Sequence, residues 1–168
     1  MPLADKSIAK KIEIRDVCED DIIRNEKVLL RLLEDNMRIN FPGISDFTES
    51  VVSGYRNMLT YHRDGSAILI GAFEEVKIIG FLWAYGREVL GEKRLHISHI
   101  IVSSNARSCG IGSKLLKALE ELANKKGIKK IELMTTVENK ETLKFYKSNG
   151  LVPIRVQLEK ELRRVDVN

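Results

Sequence analysis

The sequence predicts an α/β (α+β) fold: a mixed, mostly antiparallel central sheet with helices on both faces. Three observations predict it. Alternating or branched apolar runs at residues 11–17, 66–73, 76–85 and 95–102 have the period and length of strands. Helical patterns with one apolar side lie between and after these runs. The run at 95–102 breaks into a small polar turn holding Gly110 and Gly112, which passes directly into Lys114-Leu115-Leu116-Lys117-Ala118-Leu119. A chain of 168 residues suits one domain, taken as 1–168 with its core over about 12–162.

Each element follows in order. Residues 1–10 form a frayed leader. Lys11-Ile12-Glu13-Ile14-Arg15-Asp16-Val17 alternates as a half-buried first strand. Asp20-Asp21 opens one long helix with Ile22, Ile23, Leu29, Leu30, Leu33 and Met37 towards one side, stopped by Phe41-Pro42-Gly43. Asp46 or Thr48 caps a second helix through Val51, Val52, Tyr55, Met58 and Leu59, ending near Asp64-Gly65. Residues 66–73 and 76–85 make a hairpin about Glu74-Glu75, and 86–93 is a polar connection into the strand 95–102. The central helix ends at Lys125-Lys126-Gly127, residues 128–137 are a further strand, Asn139 caps a short helix, and 152–158 return as the last strand.

Composition narrows the function classes. No apolar run nears the roughly 20 residues of a membrane span, and no apolar core follows the charged start, so a cytoplasmic protein is expected. Cys18 and Cys109 stand far apart and match no metal-ligand spacing, so neither a disulfide nor a metal is expected. The net charge of +4 is spread as mixed Lys/Glu pairs rather than basic blocks, which argues against nucleic acid as a partner.

A strand, a glycine-bearing turn and a helix N-terminus in succession outline an anion site, with a phosphate or pyrophosphate as the natural guest. The turn lacks the Gly-Lys-Ser/Thr ending of a nucleoside-triphosphate loop and the third glycine of a dinucleotide fingerprint. It shows Arg107-x-x-Gly110-x-Gly112 instead. This resembles the acetyl-CoA pyrophosphate loop of the GNAT superfamily of N-acetyltransferases, Gln/Arg-x-x-Gly-x-Gly/Ala. Downstream, Asn139 is followed seven residues later by Tyr146 and then by Gly150-Leu151, which resembles the second signature of that superfamily. The two occur in the family's order and spacing.

The resemblance implies a GNAT-like fold, acetyl-CoA as cosubstrate, and an amine acceptor that is a small molecule or a peptide. It implies no membrane partner and leaves a homodimer open. By resemblance, Ile100, Ile101 and Val102 offer backbone groups to the pantetheine amides. Ser108, Cys109, Gly110, Ile111, Gly112 and Ser113 line the pyrophosphate, with Arg107 or Lys114 balancing charge. Asn139 both caps the short helix and hydrogen-bonds the pantetheine arm, against the plainer reading of a cap alone; Tyr146 protonates the departing thiolate, against the plainer reading of a core aromatic beside Phe145. Cys109 has no partner base in the motif, so a small side chain filling the loop is the plainer reading.

The general base is where the chain departs from the family pattern. Many members carry a Glu four residues ahead of Val102, and others a base five residues before the Asn; here those residues are Ser98 and Met134. His96 and His99 remain on the strand. Strict alternation puts His96 on the face of Ser98, Ile100 and Val102, and His99 on the opposite face. His96 is the candidate base, with Ser98 holding a relaying water, and a purely structural histidine is the alternative. Trp83, Tyr85, Phe41 and Tyr55 are candidates for an acceptor pocket or for plain core. A catalytically weak acyl-CoA-binding module of the same fold is the rival reading of the whole chain.

Overall fold

The computed structural model describes residues 11–160, so the leader expected at 1–10 and the last residues of the expected core lie outside the described residues. A five-stranded sheet runs in the order β1 (Ile12–Asp16), β2 (Ala67–Glu74), β3 (Lys77–Val89), β4 (Glu92–Val102), β5 (Ile131–Leu133). Every pair is antiparallel except β4 with β5, which is parallel. Helices α1 (Glu19–Arg24), α2 (Glu26–Asn40) and α3 (Thr48–Arg63) cover one face; α4 (Ile111–Lys125) covers the other, and α5 (Lys140–Ser148) packs Phe145 into that second layer. The mixed sheet with helices on both faces is as the sequence predicts.

The long helix opening at Asp20-Asp21 is two helices, α1 and α2, parted at Asn25. Asn25 is buried; its Nδ2 donates to the carbonyls of Asp21 and Val76, and its Oδ1 accepts from the Ile78 N–H at 3.0 Å. One side chain thus ties the break to the β2–β3 turn, and a buried amide with these partners satisfied is stable there. Ahead of α1, the Asp21 carboxylate accepts from Arg15 Nη1 at 2.6 Å and from the Cys18 N–H at 3.1 Å. The α3 cap differs from the reading: Phe47 holds the cap position without a side-chain cap bond, and Asp46, one residue before it, accepts from the Thr48 N–H at 2.8 Å.

The connection read at 86–93 is instead more sheet. β3 runs on to Val89 and β4 begins at Glu92, joined by the two residues Leu90 and Gly91. Both have positive φ, 53° and 78°, the signature of a two-residue hairpin turn whose twist matches its strands. The extension pairs Arg87 with Arg94 and Glu88 with Lys93 across the strands.

The strand read at 128–137 is only Ile131–Leu133, and 152–158 form no strand. Val152, Ile154, Val156 and Leu158 alternate but are 68–90 % exposed. A three-residue β5 offers too short an edge for a ladder that residues 152–158 could join. β4 and β5 pair only over Leu95–Ile131, His96–Glu132 and Ile97–Leu133, and beyond that point the two strands part.

Candidate active site

The parting of β4 from β5 and the turn after β4 create the site. After β4 the chain makes a single 3-10 turn, Ser104–Ala106, then passes through Ser108 and Gly110, both left-handed at φ 64° and 71°. α4 starts at Ile111, and its first intrahelical bond runs from the Lys114 N–H to the Gly110 carbonyl at 3.1 Å. The N–H groups of Ile111, Gly112 and Ser113 therefore have no carbonyl inside the helix to bond. A Cβ added at Gly110 would meet nothing within 4 Å, whereas one at Gly112 would strike the Phe145 ring at 2.9 Å. The two glycines do different work. Gly110 leaves open space before the free N–H groups, and Gly112 lets α5 press against the first turn of α4.

The remaining loop residues fall in place around this cradle. Ser108, Cys109 and Gly110 are exposed, Ile111 is buried, and Ser113 is half-buried. Arg107 Nε donates to the Val102 carbonyl at 3.2 Å, which folds the guanidinium back over the end of β4. Cys109 and Cys18 are exposed free thiols. Ile101 is buried among the α1–α3 layer, while Ile100 and Val102 pack towards α4. Asn139 Oδ1 accepts from the Thr142 N–H at 3.2 Å, so the cap is real. Asn139 also lines a cleft of about 540 Å³ together with Ile39, Asn40, Pro42, Thr136 and Glu138. Tyr146 is half-buried on α5, and burial pushes its phenol up to about 12.

The histidines are not where strict alternation puts them. Trp83 pairs with His99 but Ala84 pairs with Ile97, so Ser98 is an extra residue, a β-bulge. The bulge shifts the side-chain parity of β4. Leu95 and Ile97 face α4, and after Ser98 so do Ile100 and Val102. His96 and His99 consequently share the other face, beside Tyr85 and Trp83, and His96 does not share a face with Ile100 and Val102. Bulges of this kind re-aim side chains, and no residue type in 96–102 announces one.

On that shared face the two histidines differ. The His99 ring stacks on Trp83 at 5.4 Å, its Nδ1 lies 2.9 Å from Ser98 Oγ, and burial pushes its pKa down to about 4. His96 is buried, tilted against the Tyr85 ring at 5.1 Å, with its Nδ1 3.5 Å from Glu132 Oε1. Glu132 was invisible as a site residue in the sequence, where one carboxylate among lysines reads as a solvated strand face. In the fold it sits between Arg87 and Arg94 with only 15 % of its side chain exposed. Burial raises its pKa, but Arg94, Arg87 and His96 together outweigh that and hold it below the usual carboxylate value.

Of the pocket aromatics, Tyr55 belongs to the core, with its hydroxyl 3.5 Å from the Ile22 carbonyl. Trp83 is buried under His99, Tyr85 is partly open beside His96, and Phe41 is exposed after α2. Met134 is exposed past the end of β5 and offers no proton acceptor. Among the described residues no His/Cys/Asp/Glu cluster could hold a metal, and no helix is long and apolar enough to cross a membrane.

Free N–H groups at a helix start, beside a β4 edge that β5 leaves unpaired beyond Ile97, suit an anionic ligand. The chain belongs to the GNAT family of acetyltransferases, whose family model matches residues 29–151. Solved structures share the fold. An aminoglycoside acetyltransferase from an uncultured soil metagenomic sample is 22 % identical at a TM-score of 0.68, covering 90 % of this chain and 97 % of that one. Glucosamine-6-phosphate N-acetyltransferase from Arabidopsis thaliana is 21 % identical at 0.65, covering 91 % and 99 %. A predicted acetyltransferase with acetyl-CoA from Clostridium acetobutylicum is 17 % identical at 0.70, covering 90 % and 96 %. No curated protein sequence matches the chain.

Proposed function

We propose that the protein moves the acetyl group of acetyl-CoA to a primary amine by direct attack, without an acyl-enzyme. The observation that carries this reading is the cradle of free N–H groups at α4, with open space over Gly110, set beside the gap between β4 and β5. Its residues fit a pyrophosphate: left-handed Ser108 and Gly110 turn the backbone donors outward, and the helix end adds partial positive charge. Arg107 and Lys114 stand near enough in sequence to balance phosphate charge. Acetyl-CoA supplies an acetyl group activated as a thioester.

The chain's own residues do the rest by positioning and proton transfer. The edge of β4 at Ile100, Ile101 and Val102, unpaired with β5, holds the pantetheine amides, and Asn139 adds a contact from the cap. As nitrogen bonds to the acetyl carbon and the carbon–sulfur bond breaks, His96 takes the proton that nitrogen loses, directly or through a water at Ser98. Tyr146 gives its phenolic proton to the departing sulfur. A phenol held at about 12 keeps that proton at every working pH. The reaction runs in the cytoplasm on a small-molecule or peptide amine and involves neither nucleic acid nor membrane.

One observation favours a second reading. Ser98 and Met134 stand where many family members carry a carboxylate base, so a weakly catalytic acyl-CoA-binding module has a specific argument behind it. Mass spectrometry of acetyl transfer across amino acids, polyamines, drug-like amines and peptides tests both. The proposal expects acetylated product and matching thioester loss with at least one amine class. CoA binding with no thioester loss on any amine selects the binding module.

A further inference from the structure

We infer that Glu132 is a positioning residue that holds His96 by Nδ1 and so leaves Nε2 as the nitrogen that takes the amine's proton. The inference rests on the acetyl-transfer reading above.

The sheet itself brings the two together. His96 and Glu132 are register partners across the parallel β4–β5 pair, one step before the strands part. Both side chains are largely buried, and the facing atoms, His96 Nδ1 and Glu132 Oε1, are shielded from water; Oε1 also faces Arg87 Nε, while His96 Nδ1 meets no other partner. A buried ring N–H left without a partner costs free energy, and the carboxylate is the acceptor within reach that removes that cost. Their separation of 3.5 Å is long, and contacts of this kind tighten when substrate fills a site.

The carboxylate is held from three sides. Arg94 Nη1 donates to Oε2 at 3.0 Å, and Arg87 Nε lies 2.5 Å from Oε1. Arg94 is anchored in turn by Glu92, which also takes Lys130 Nζ at 2.9 Å. Glu132 therefore has little room to swing, and with two guanidinium groups on it the carboxylate is a poor proton acceptor from substrate. What it can still do is accept from a neutral donor, and the nearest one is the His96 Nδ1–H. That hydrogen bond fixes the tautomer and orientation of the ring. Tyr85 bounds the ring on the β3 side. The groups facing His96 are thus Glu132 from β5, Arg94 from its own strand, and Tyr85 and Arg87 from β3. His99 has no such carboxylate: its Nδ1 is taken up with the Ser98 hydroxyl.

The alternative is that the cluster only staples β3, β4 and β5. Ring-nitrogen NMR on histidine-labelled full-length protein separates the two without needing turnover. His62 and His99 are assigned by substitution, leaving His96 of the three histidines. The inference expects His96 as its Nδ1–H tautomer in the wild type. In Glu132→Gln the amide cannot offer oxygen to both arginines and to the ring, so that tautomer is lost. In steady state, Glu132→Gln lowers kcat by on the order of 10²-fold while KM for acetyl-CoA is unchanged. An Nε2–H tautomer in the wild type overturns the inference, even if the variant fails to fold. So does a Glu132→Gln enzyme with wild-type kcat. If the wild type acetylates no amine but shows the Nδ1–H tautomer, the proposed activity has failed and the ring's positioning has not.

Discussion

The two faces of the sheet are built from different chemistry. On the α4 face, Ile70, Ala72, Leu82, Ala84, Leu95 and Ile97 meet Leu115, Leu116 and Leu119, and all are buried and apolar. The α1–α3 face begins the same way with Leu69, Phe73, Phe81 and Trp83. Towards β4 and β5 it then turns polar, with His96, His99, Glu132 and Arg94 at or near burial. Buried polar groups are costly unless partnered, so one face tolerates only packing changes while the other stores its specificity in a few hydrogen bonds. The switch from one character to the other depends on a single inserted residue, Ser98. It lets β4 keep its apolar side chains towards α4 on both sides of the bulge and sets both histidines opposite.

The comparison is broken most strongly at the chemistry. His96→Ala and Tyr146→Phe are each expected to lower kcat by on the order of 10²–10⁴-fold with acetyl-CoA affinity nearly intact. His99→Ala costs less, because a ring held at about 4 is neutral at working pH and acts through Ser98. Equal losses at the two histidines would erase the distinction drawn between them. Tyr146 gives no alkaline limb near the ordinary phenol value, since its raised pKa keeps the proton on.

Packing is the next largest effect. Leu119, fully buried against the α4 face, is expected to cost about 2–5 kcal/mol on truncation to Ala, measured by chemical denaturation, with kcat per folded molecule unchanged. A loss of kcat without loss of stability would mean that the α4 face is not merely packing.

Asp21 sharpens the contrast because it is a buried charge far from the site. Its pKa is held well below the carboxylate range, first by Arg15 and further by Cys18. The stability it contributes is therefore full above the unfolded value near 4 and fades as pH falls towards the lower folded value. Asp21→Ala should cost about 2 kcal/mol at pH 7, and the gap to wild type should narrow below about pH 4. A gap independent of pH would assign the effect to packing instead. The smallest effect lies at the hairpin tip. Leu90 is fully exposed in a left-handed conformation, so Leu90→Asn should stabilise by about 1 kcal/mol and leave activity alone.

The α4 half of the site is legible in sequence because backbone needs select residue types there. The turn requires Gly110, the cap selects Asn139, and Gly127 at φ 67° ends α4. The other half is not legible, because long-range pairing decides it. Nothing about Ser98 marks a bulge, and a leucine is an unusual residue for the left-handed position that joins β3 to β4. Asn25 breaks a helix only because Val76 and Ile78 arrive from elsewhere to satisfy it. Glu132 becomes a buried ion only once Arg87 and Arg94 flank it. The alternation at 152–158 is a valid strand pattern that meets no strand to pair with among the described residues.

The central claim is that the cradle at Gly110 binds CoA phosphates, and thermal melting with and without CoA tests it most directly. At 100 times its Kd, CoA should raise the wild-type Tm by about 5–10 °C. Gly110→Asp puts a side chain and a negative charge into the open space over the helix start, and its CoA-induced shift should vanish. A variant that still shows the full wild-type shift would contradict the placement.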